Sequence, residues 1–141
     1  MDLDFTKGDG LVPAIVQDRA SGDVLMLGYM NRTALDATLE TGKTTFFSRS
    51  RNRLWVKGER SGNTLEVREV LLDCDADAVV VKVDPQGPGV CHEGYRSCFF
   101  RRLEPGGSLR ETAARVFDPG TVYGSAPGQR AGRPLPKEAA W

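Results

Sequence analysis

The residues able to do chemistry fall in two short segments. Asp73-Cys74-Asp75-Ala76-Asp77 alternates carboxylates with a thiol, and Cys91-His92-Glu93-Gly94-Tyr95-Arg96-Ser97-Cys98 brackets the only histidine with two further thiols. These three cysteines are all the chain has. Cys74 is flanked by carboxylates, a poor setting for an apolar core position, so the thiols read as metal ligands before they read as small buried hydrophobes. Zinc takes four tetrahedral ligands, and three thiolates leave one position for water, as in a catalytic site. His92 as a fourth ligand would close the site and make it structural. Adjacent residues rarely reach one metal together, which favours His92 as a proton carrier; an ordinary imidazole pKa of about 6.5 suits general acid–base work at neutral pH. Its bland alternative is an exposed loop histidine.

In an extended backbone Asp73, Asp75 and Asp77 project to one side and Cys74 and Ala76 to the other. Hard oxygen ligands at this density suit magnesium. The spacing also mimics the start of an EF-hand loop, but position six is Ala78 where glycine is required and the flanks are strand-like. A solvated acidic turn is the competing reading. The third cluster is basic: Ser48-Arg49-Ser50-Arg51-Asn52-Arg53, then Trp55, Lys57 and Arg60. Arginine forks and serine hydroxyls suit phosphate oxygens, while Trp55 either stacks on a base or packs in the core. Arginines on a surface hairpin are common, so this pattern alone is weak.

Strands must position these groups. The apolar runs 11–17 and 24–29, separated by the turn-rich segment 18–23, predict a β-hairpin. Asn31 caps an expected helix over 32–41 that Gly42 ends, with Leu35, Thr38 and Leu39 on one face. Strands are expected at 44–48, 54–59 and 64–72, the last two joined by Ser61-Gly62-Asn63. Within 64–72 the alternation slips near Arg68-Glu69, which predicts a bulge. The β-branched stretch 78–83 predicts a central strand beginning directly after the aspartates. A Pro- and Gly-containing loop over 84–90 then delivers Cys91 and His92, and 95–103 resumes as a strand bearing Cys98. Beyond Leu103, Ser108-Leu109-Arg110-Glu111 carries a capping-box pattern for a brief helix ending before Asp118-Pro119. The segment 120–141 reads as a loosely ordered tail, with Val122-Tyr123 and Trp141 as docking points. These elements predict a small α+β domain, a strand-rich mixed sheet with one or two short helices. The expected division is 1–103 as the catalytic domain and 104–141 as a partly irregular C-terminal extension.

The 141 residues are enough for one core, and 19 basic residues against 19 acidic ones give no footing for non-specific nucleic-acid binding. No apolar run approaches the roughly 20 residues that span a bilayer, and Met1-Asp2-Leu3-Asp4 is acidic where a signal peptide is basic. A cytoplasmic protein with no membrane or nucleic-acid partner is therefore expected. An odd number of cysteines in such a compartment argues against a disulfide framework.

Taken together, these segments resemble phosphoribosyl-AMP cyclohydrolase, an enzyme family of histidine biosynthesis. The resemblance covers roughly residues 10–103 and rests on Gly10 to Asp18, Val24 to Asn31, Ser48-Arg49-Ser50-Arg51, Leu54-Trp55, Lys57-Gly58-Glu59 and Ser61-Gly62-Asn63. Asp73 to Asp77, Cys91-His92 and Ser97-Cys98-Phe99 complete it, in family order and at family spacing. It implies hydrolysis of the N1–C6 bond of the adenine ring of 1-(5-phosphoribosyl)-AMP by a zinc-bound hydroxide, giving the phosphoribosyl-formimino imidazole carboxamide nucleotide. It also implies Cys74, Cys91 and Cys98 as zinc ligands, Asp73, Asp75 and Asp77 as magnesium ligands, and a homodimer with one zinc per subunit. Cys74 of one chain would then meet Cys91 and Cys98 of the other. His92 is the candidate catalytic residue for this reaction, and Arg49, Arg51, Lys57 and Trp55 are the candidate contacts to the substrate's phosphates and base. The chain departs from the usual pattern at Gly28, where Ala is common, and at Phe47, where Trp is common. Many relatives carry a fused pyrophosphohydrolase domain; the stretch after Leu103 is too short for one, so a monofunctional enzyme is expected. Two other classes stay open, a zinc-dependent nucleobase deaminase and a zinc-stapled, non-catalytic binding domain. The deaminases pair closely spaced cysteines with a Glu beside a His ligand, a pattern missing here.

Overall fold

The computed structural model describes residues 2–123. In chain order the elements are β1 (Val12–Asp18), β2 (Val24–Met30), α1 (Arg32–Thr41), β3 (Thr45–Ser48), β4 (Arg53–Val56), β5 (Leu65–Leu72), β6 (Val79–Pro85), β7 (Arg101–Leu103), β8 (Leu109–Glu111) and α2 (Pro119–Val122). A 3-10 turn at Thr6–Gly8 precedes them. The α+β reading therefore holds: a four-stranded mixed sheet, two two-stranded ribbons and two helices among the described residues.

The main sheet runs β2-β1-β6-β5, with β1 and β6 parallel and the other neighbours antiparallel. Strand β6 lies inside it as its β-branched content predicts, and Val79, Val81 and Val83 point into the same core as Val12, Ala14 and Val16 of β1. The bulge also appears where the alternation slips, the β5 register shifting between Val67 and Glu69. The extra residue lets Val67 and Val70 both pack against the core from a strand that alternation alone would have turned over.

Helix α1 has the expected ends. The Asn31 side chain accepts a hydrogen bond from the Ala34 N–H at 2.8 Å, and Gly42, at φ +75°, donates its N–H to the Thr38 carbonyl at 3.0 Å. Thr38 is fully buried; its hydroxyl donates to the Ala34 carbonyl and accepts from the Thr45 N–H at 2.9 Å, tying the helix to β3. Leu39 does not join this face and is 60% exposed. The buried stripe is Ala34, Leu35 and Thr38, and position 39 lies roughly 90° round the helix from its centre.

Four expectations are corrected. Strand β4 pairs with β3 and β5 with β6, so Ser61-Gly62-Asn63 is a turn between strands that do not pair with each other. The segment 95–103 is a strand only at Arg101–Leu103, because loop 91–100 spends its backbone groups on itself and on β2: Cys91 N–H donates to the Tyr95 carbonyl (3.0 Å) and Cys98 N–H to that of Leu25 (2.8 Å). The capping-box helix from Ser108 is absent, and Leu109–Glu111 instead pairs with β7 across the Gly106-Gly107 turn. Pairing with a neighbouring strand outweighs a four-residue local signal. Asp118-Pro119 begins a helix where it was expected to follow one, with the Asp118 carboxylate accepting from the Gly120 N–H at 2.9 Å and proline in the first turn. Tyr123 does dock, at 7% exposure, whereas Trp141 lies outside the described residues.

Gly28 has a local reason. A Cβ there would stand 2.5 Å from Cδ1 of Phe46, a fully buried ring stacked on Trp55 at 4.8 Å between centroids. Nothing in the structure accounts for phenylalanine at position 47.

Candidate active site and metal ligands

The turn before β6, the loop after it and the separate β3–β4 hairpin carry the candidate residues. The acidic turn joins β5 to β6. Its backbone is not extended: Ala76 adopts φ +59° and is buried, and the Asp73 carboxylate accepts from the N–H groups of Asp77 and Ala78. The three carboxylates nonetheless converge, with one oxygen from each of Asp73, Asp75 and Asp77 lying within 4.8 Å of the others. A tight turn, not strand alternation, brings them together. Lys7 reaches across from the 3-10 turn to Asp75 (3.0 Å) and Asp77 (3.1 Å), an ammonium placed where carboxylates would otherwise repel. Its bond holds the Asp75 carboxyl below its ordinary range, and the same two bonds hold the Lys7 ammonium above its own. Asp77 also gains from Lys7, but its hydrogen bonds with Asp73 and Asp75 outweigh that and the net shift is upward. A converging carboxylate trio that draws in the Lys7 ammonium has the donor set a hard divalent ion uses.

The thiol loop joins β6 to β7. Cys91 is buried and Cys98 half-buried, and a hydrogen bond from Cys98, helped by the Glu93 N–H and by Lys57, holds the Cys91 thiol down at about 7 despite its burial. A thiolate is thus available near neutral pH, as a zinc ligand must be. His92 sits half-buried between them in sequence. Lys57 is 1% exposed, and burial pulls its ammonium down to about 8, with Cys98 and Cys91 pulling the other way. Its neighbours in sequence hide this: Arg49 and Arg51 are exposed on the β3–β4 hairpin, Arg49 lying 5.3 Å over the Tyr29 ring. Trp55 packs in the core at 7% exposure with one face against Phe46.

Cys74 is exposed on the acidic turn. Among the described residues the aspartates form the one group of three candidate ligands that gathers within a single chain, so Cys74 does not join Cys91 and Cys98 there. The donor chemistry of the pair fits zinc, while the chain alone offers it two thiols.

Two residues that composition and spacing left unremarked also belong here. Lys7 has no local signal, since nothing in a surface lysine 68 residues from Asp75 announces their contact. Arg96 lies between the two thiols in sequence and clamps the loop to the β1–β2 turn, donating to Asp23 (2.7 Å), to the Ser21 hydroxyl (3.1 Å) and to Asp18. Its partner Asp18, at the end of β1 with 8% exposure, is buried only by the fold, so the sequence carries no signal for this clamp.

A mixed α+β domain with a thiol pair, a neighbouring histidine, an acidic trio and an exposed arginine hairpin is equipped as a hydrolase for a phosphorylated substrate. The family described as phosphoribosyl-AMP cyclohydrolase matches residues 26–100, over half of the chain. A phosphoribosyl-AMP cyclohydrolase of Solibacter usitatus (strain Ellin6076) is 61% identical over 124 residues, spanning 88% of this chain and 98% of that protein. Those of Geotalea uraniireducens (strain Rf4) and Geobacter metallireducens (strain ATCC 53774 / DSM 7210 / GS-15) are each 57% identical, over 86% and 87% of the chain and 96% and 98% of those proteins. The chain belongs to the phosphoribosyl-AMP cyclohydrolase family.

Proposed function

We infer that the chain hydrolyses the N1–C6 bond of the adenine ring in 1-(5-phosphoribosyl)-AMP, giving the phosphoribosyl-formimino imidazole carboxamide nucleotide of histidine biosynthesis, with a zinc ion held by Cys91, Cys98 and Cys74. The observation that carries the metal reading is the Cys91–Cys98 pair, two thiols of one loop packed together, one buried and one half-buried. Zinc, when bound, supplies Lewis-acid activation of water at neutral pH.

The remaining roles fall to side chains of this chain. Water adds to C6, the N1–C6 bond breaks, and the proton lost by the water must reach N1. His92 carries it, taking the proton as base and returning it to the departing nitrogen as acid. Phosphoribosylation at N1 already leaves the ring electron-poor, so the barrier left to the protein is chiefly proton movement and orientation. Arg49 and Arg51 face solvent and are free to grip phosphate oxygens as bidentate forks. Lys57, the proposed substrate contact nearest the thiols, is buried beside them and has almost no open surface in the single chain. Trp55 floors the hairpin, its contact with a base limited to the 7% of its surface left open. Asp73, Asp75 and Asp77 would hold magnesium, which would supply counter-charge for the second phosphate.

We further propose a homodimer. Cys74 is exposed and separate from the thiol pair of its own chain, and Leu71 and Leu72, just before it, are each 42% exposed. A second copy covers those leucines and brings its thiol to complete the ligand set. A cytoplasmic setting completes the proposal, consistent with thiols kept reduced for metal binding. Among the described residues no helix is long and apolar enough to cross a membrane.

An absorbance assay of ring opening tests the reaction, and metal analysis of the same samples tests the roles. His92→Ala keeps zinc stoichiometry and loses turnover by about 10²–10⁴-fold, the usual worth of a general acid–base; Cys91→Ser loses the zinc. Normal turnover in the histidine variant removes it as proton carrier. Zinc retained in full by Cys91→Ser removes the thiol site.

A further inference from the structure

The family match ends at residue 100, yet the chain beyond it turns back onto the thiol loop. After β8, Thr112 donates both its N–H (2.8 Å) and its hydroxyl (3.0 Å) to the Phe100 carbonyl. Arg115 donates from Nε to the carbonyl of Glu93, next to His92, at 2.8 Å, and its guanidinium lies 5.4 Å over the Tyr95 ring. The N–H groups of Val116 and Phe117 both reach the Gly94 carbonyl, at 2.7 and 3.3 Å.

The loop is shaped to receive this segment. Gly94 holds φ +98°, and a Cβ there would stand 2.5 Å from the Phe117 carbonyl oxygen. The Phe117 ring lies so close to Gly89 that a Cβ on that residue would be 2.7 Å from it. Helix α2 then carries Tyr123 to Arg60, where it is 7% exposed, sits under the Arg60 guanidinium at 5.7 Å and accepts from Arg60 Nη2 on its carbonyl at 3.5 Å. Burial raises the Tyr123 hydroxyl pKa against a hydrogen bond with Ser61, and Cys91 and Cys98 are near enough to add to the rise.

These contacts matter because loop 91–100 has almost no regular structure of its own and must still present two thiols at a fixed separation. Bonds to the carbonyls of Glu93, Gly94 and Phe100 restrain it from outside, and Tyr123 joins the restraint to the turn that follows Lys57. We propose that residues 112–123 form a strap that holds the Cys91–Cys98 loop in its ligand-presenting shape, with Arg115, Phe117 and Tyr123 as positioning residues. The proposal rests on the zinc reading above for its effect on metal, and on geometry alone for its effect on the loop.

The test uses the full-length, zinc-loaded protein and four variants: Arg115→Ala, Phe117→Ala, Tyr123→Ala and Tyr123→Phe. Hydrogen exchange at amides 91–98 reads the loop, and zinc transfer to a chromophoric chelator reads the metal. Phe117→Ala and Tyr123→Ala speed zinc release by about tenfold, the low end of what loss of ligand support costs. Arg115→Ala, a change at an exposed side chain that leaves the core intact, speeds it by about fivefold, the worth of one hydrogen bond. Exchange rises at 91–98 while β1 and β6 stay protected, and Tyr123→Phe returns both readouts toward the parent. Unchanged exchange and release in Arg115→Ala and Phe117→Ala overturn the strap, as does exchange rising equally in the main sheet. If the parent holds no zinc on these thiols, the zinc reading fails by itself and the exchange at 91–98 still decides the strap.

Discussion

Removing the Arg96 guanidinium should cost far more than an ordinary surface ion pair. Its partner Asp18 ends β1 with a side chain only 11% exposed, and in Arg96→Ala its Oδ2 loses the guanidinium while Oδ1 keeps the bond from the Ala20 N–H at 2.9 Å. Loss of one partner of a buried pair costs about 3–5 kcal/mol, and a carboxylate in water costs nearly nothing to free. Arg96 is itself 39% exposed, so solvent screens part of the interaction and places the expected loss near 2 kcal/mol. For a domain of this size that is roughly a 6 °C fall in the unfolding midpoint. Calorimetry on Arg96→Ala, Asp18→Asn and the double variant makes the assay. Asp18→Asn removes the charge that Arg96→Ala strands, so the double variant should recover about 1 kcal/mol relative to the sum of the singles. Ser97, which donates to the Val24 carbonyl at 2.8 Å, and Cys98 follow directly in the chain, so under the proposed zinc site metal release should quicken in Arg96→Ala as well. Additive singles, or a loss under about 0.5 kcal/mol, would show that the clamp is an ordinary surface pair and refute the reasoning.

Asp84 receives Arg68 at 2.6 Å and Arg19 at 3.3 Å, and these bonds, Arg68 first, depress its carboxyl pKa in the folded state. Its stabilising contribution is therefore present above the ordinary carboxylate range and lost as pH falls through the depressed value, so Asp84→Asn should flatten the acid limb of a midpoint-against-pH curve and leave its shape near pH 8 alone. Gly28→Ala should destabilise this chain by about 1–3 kcal/mol in urea unfolding because the fully buried Phe46 ring, stacked on Trp55, has little room to yield. Adding Phe46→Leu should recover part of that loss; a second variant no more stable than the first would mean that the ring contact is not the cause.

Much of this protein is legible one residue at a time. Asn31 and Gly42 mark both ends of α1, the slip at Arg68-Glu69 marks the bulge in β5, and the β-branched run ending at Val83 marks the strand that becomes internal. Such signals are local: a cap, a period of two and a side-chain shape act within a few residues of where they are written. The same locality explains the errors. Ser108 to Glu111 satisfies a helix start in isolation, and only the presence of β7 alongside makes a strand the better use of those backbone groups.

The candidate ligand types and their order in the chain, thiols, carboxylates and one imidazole, are properties of the sequence, and the reaction class follows from the family resemblance that these and the other matching segments carry, without any coordinates. Partnership is decided by the fold. That Lys7 meets Asp75 and Asp77, that Lys57 is buried against two thiols while Arg49 beside its hairpin is not, and that Cys74 stands apart from Cys91 and Cys98 all depend on contacts between segments dozens of residues apart. Those contacts form because one sheet must bury Val79, Val81 and Val83 against β1, and where its loops then land is a consequence of the packed whole.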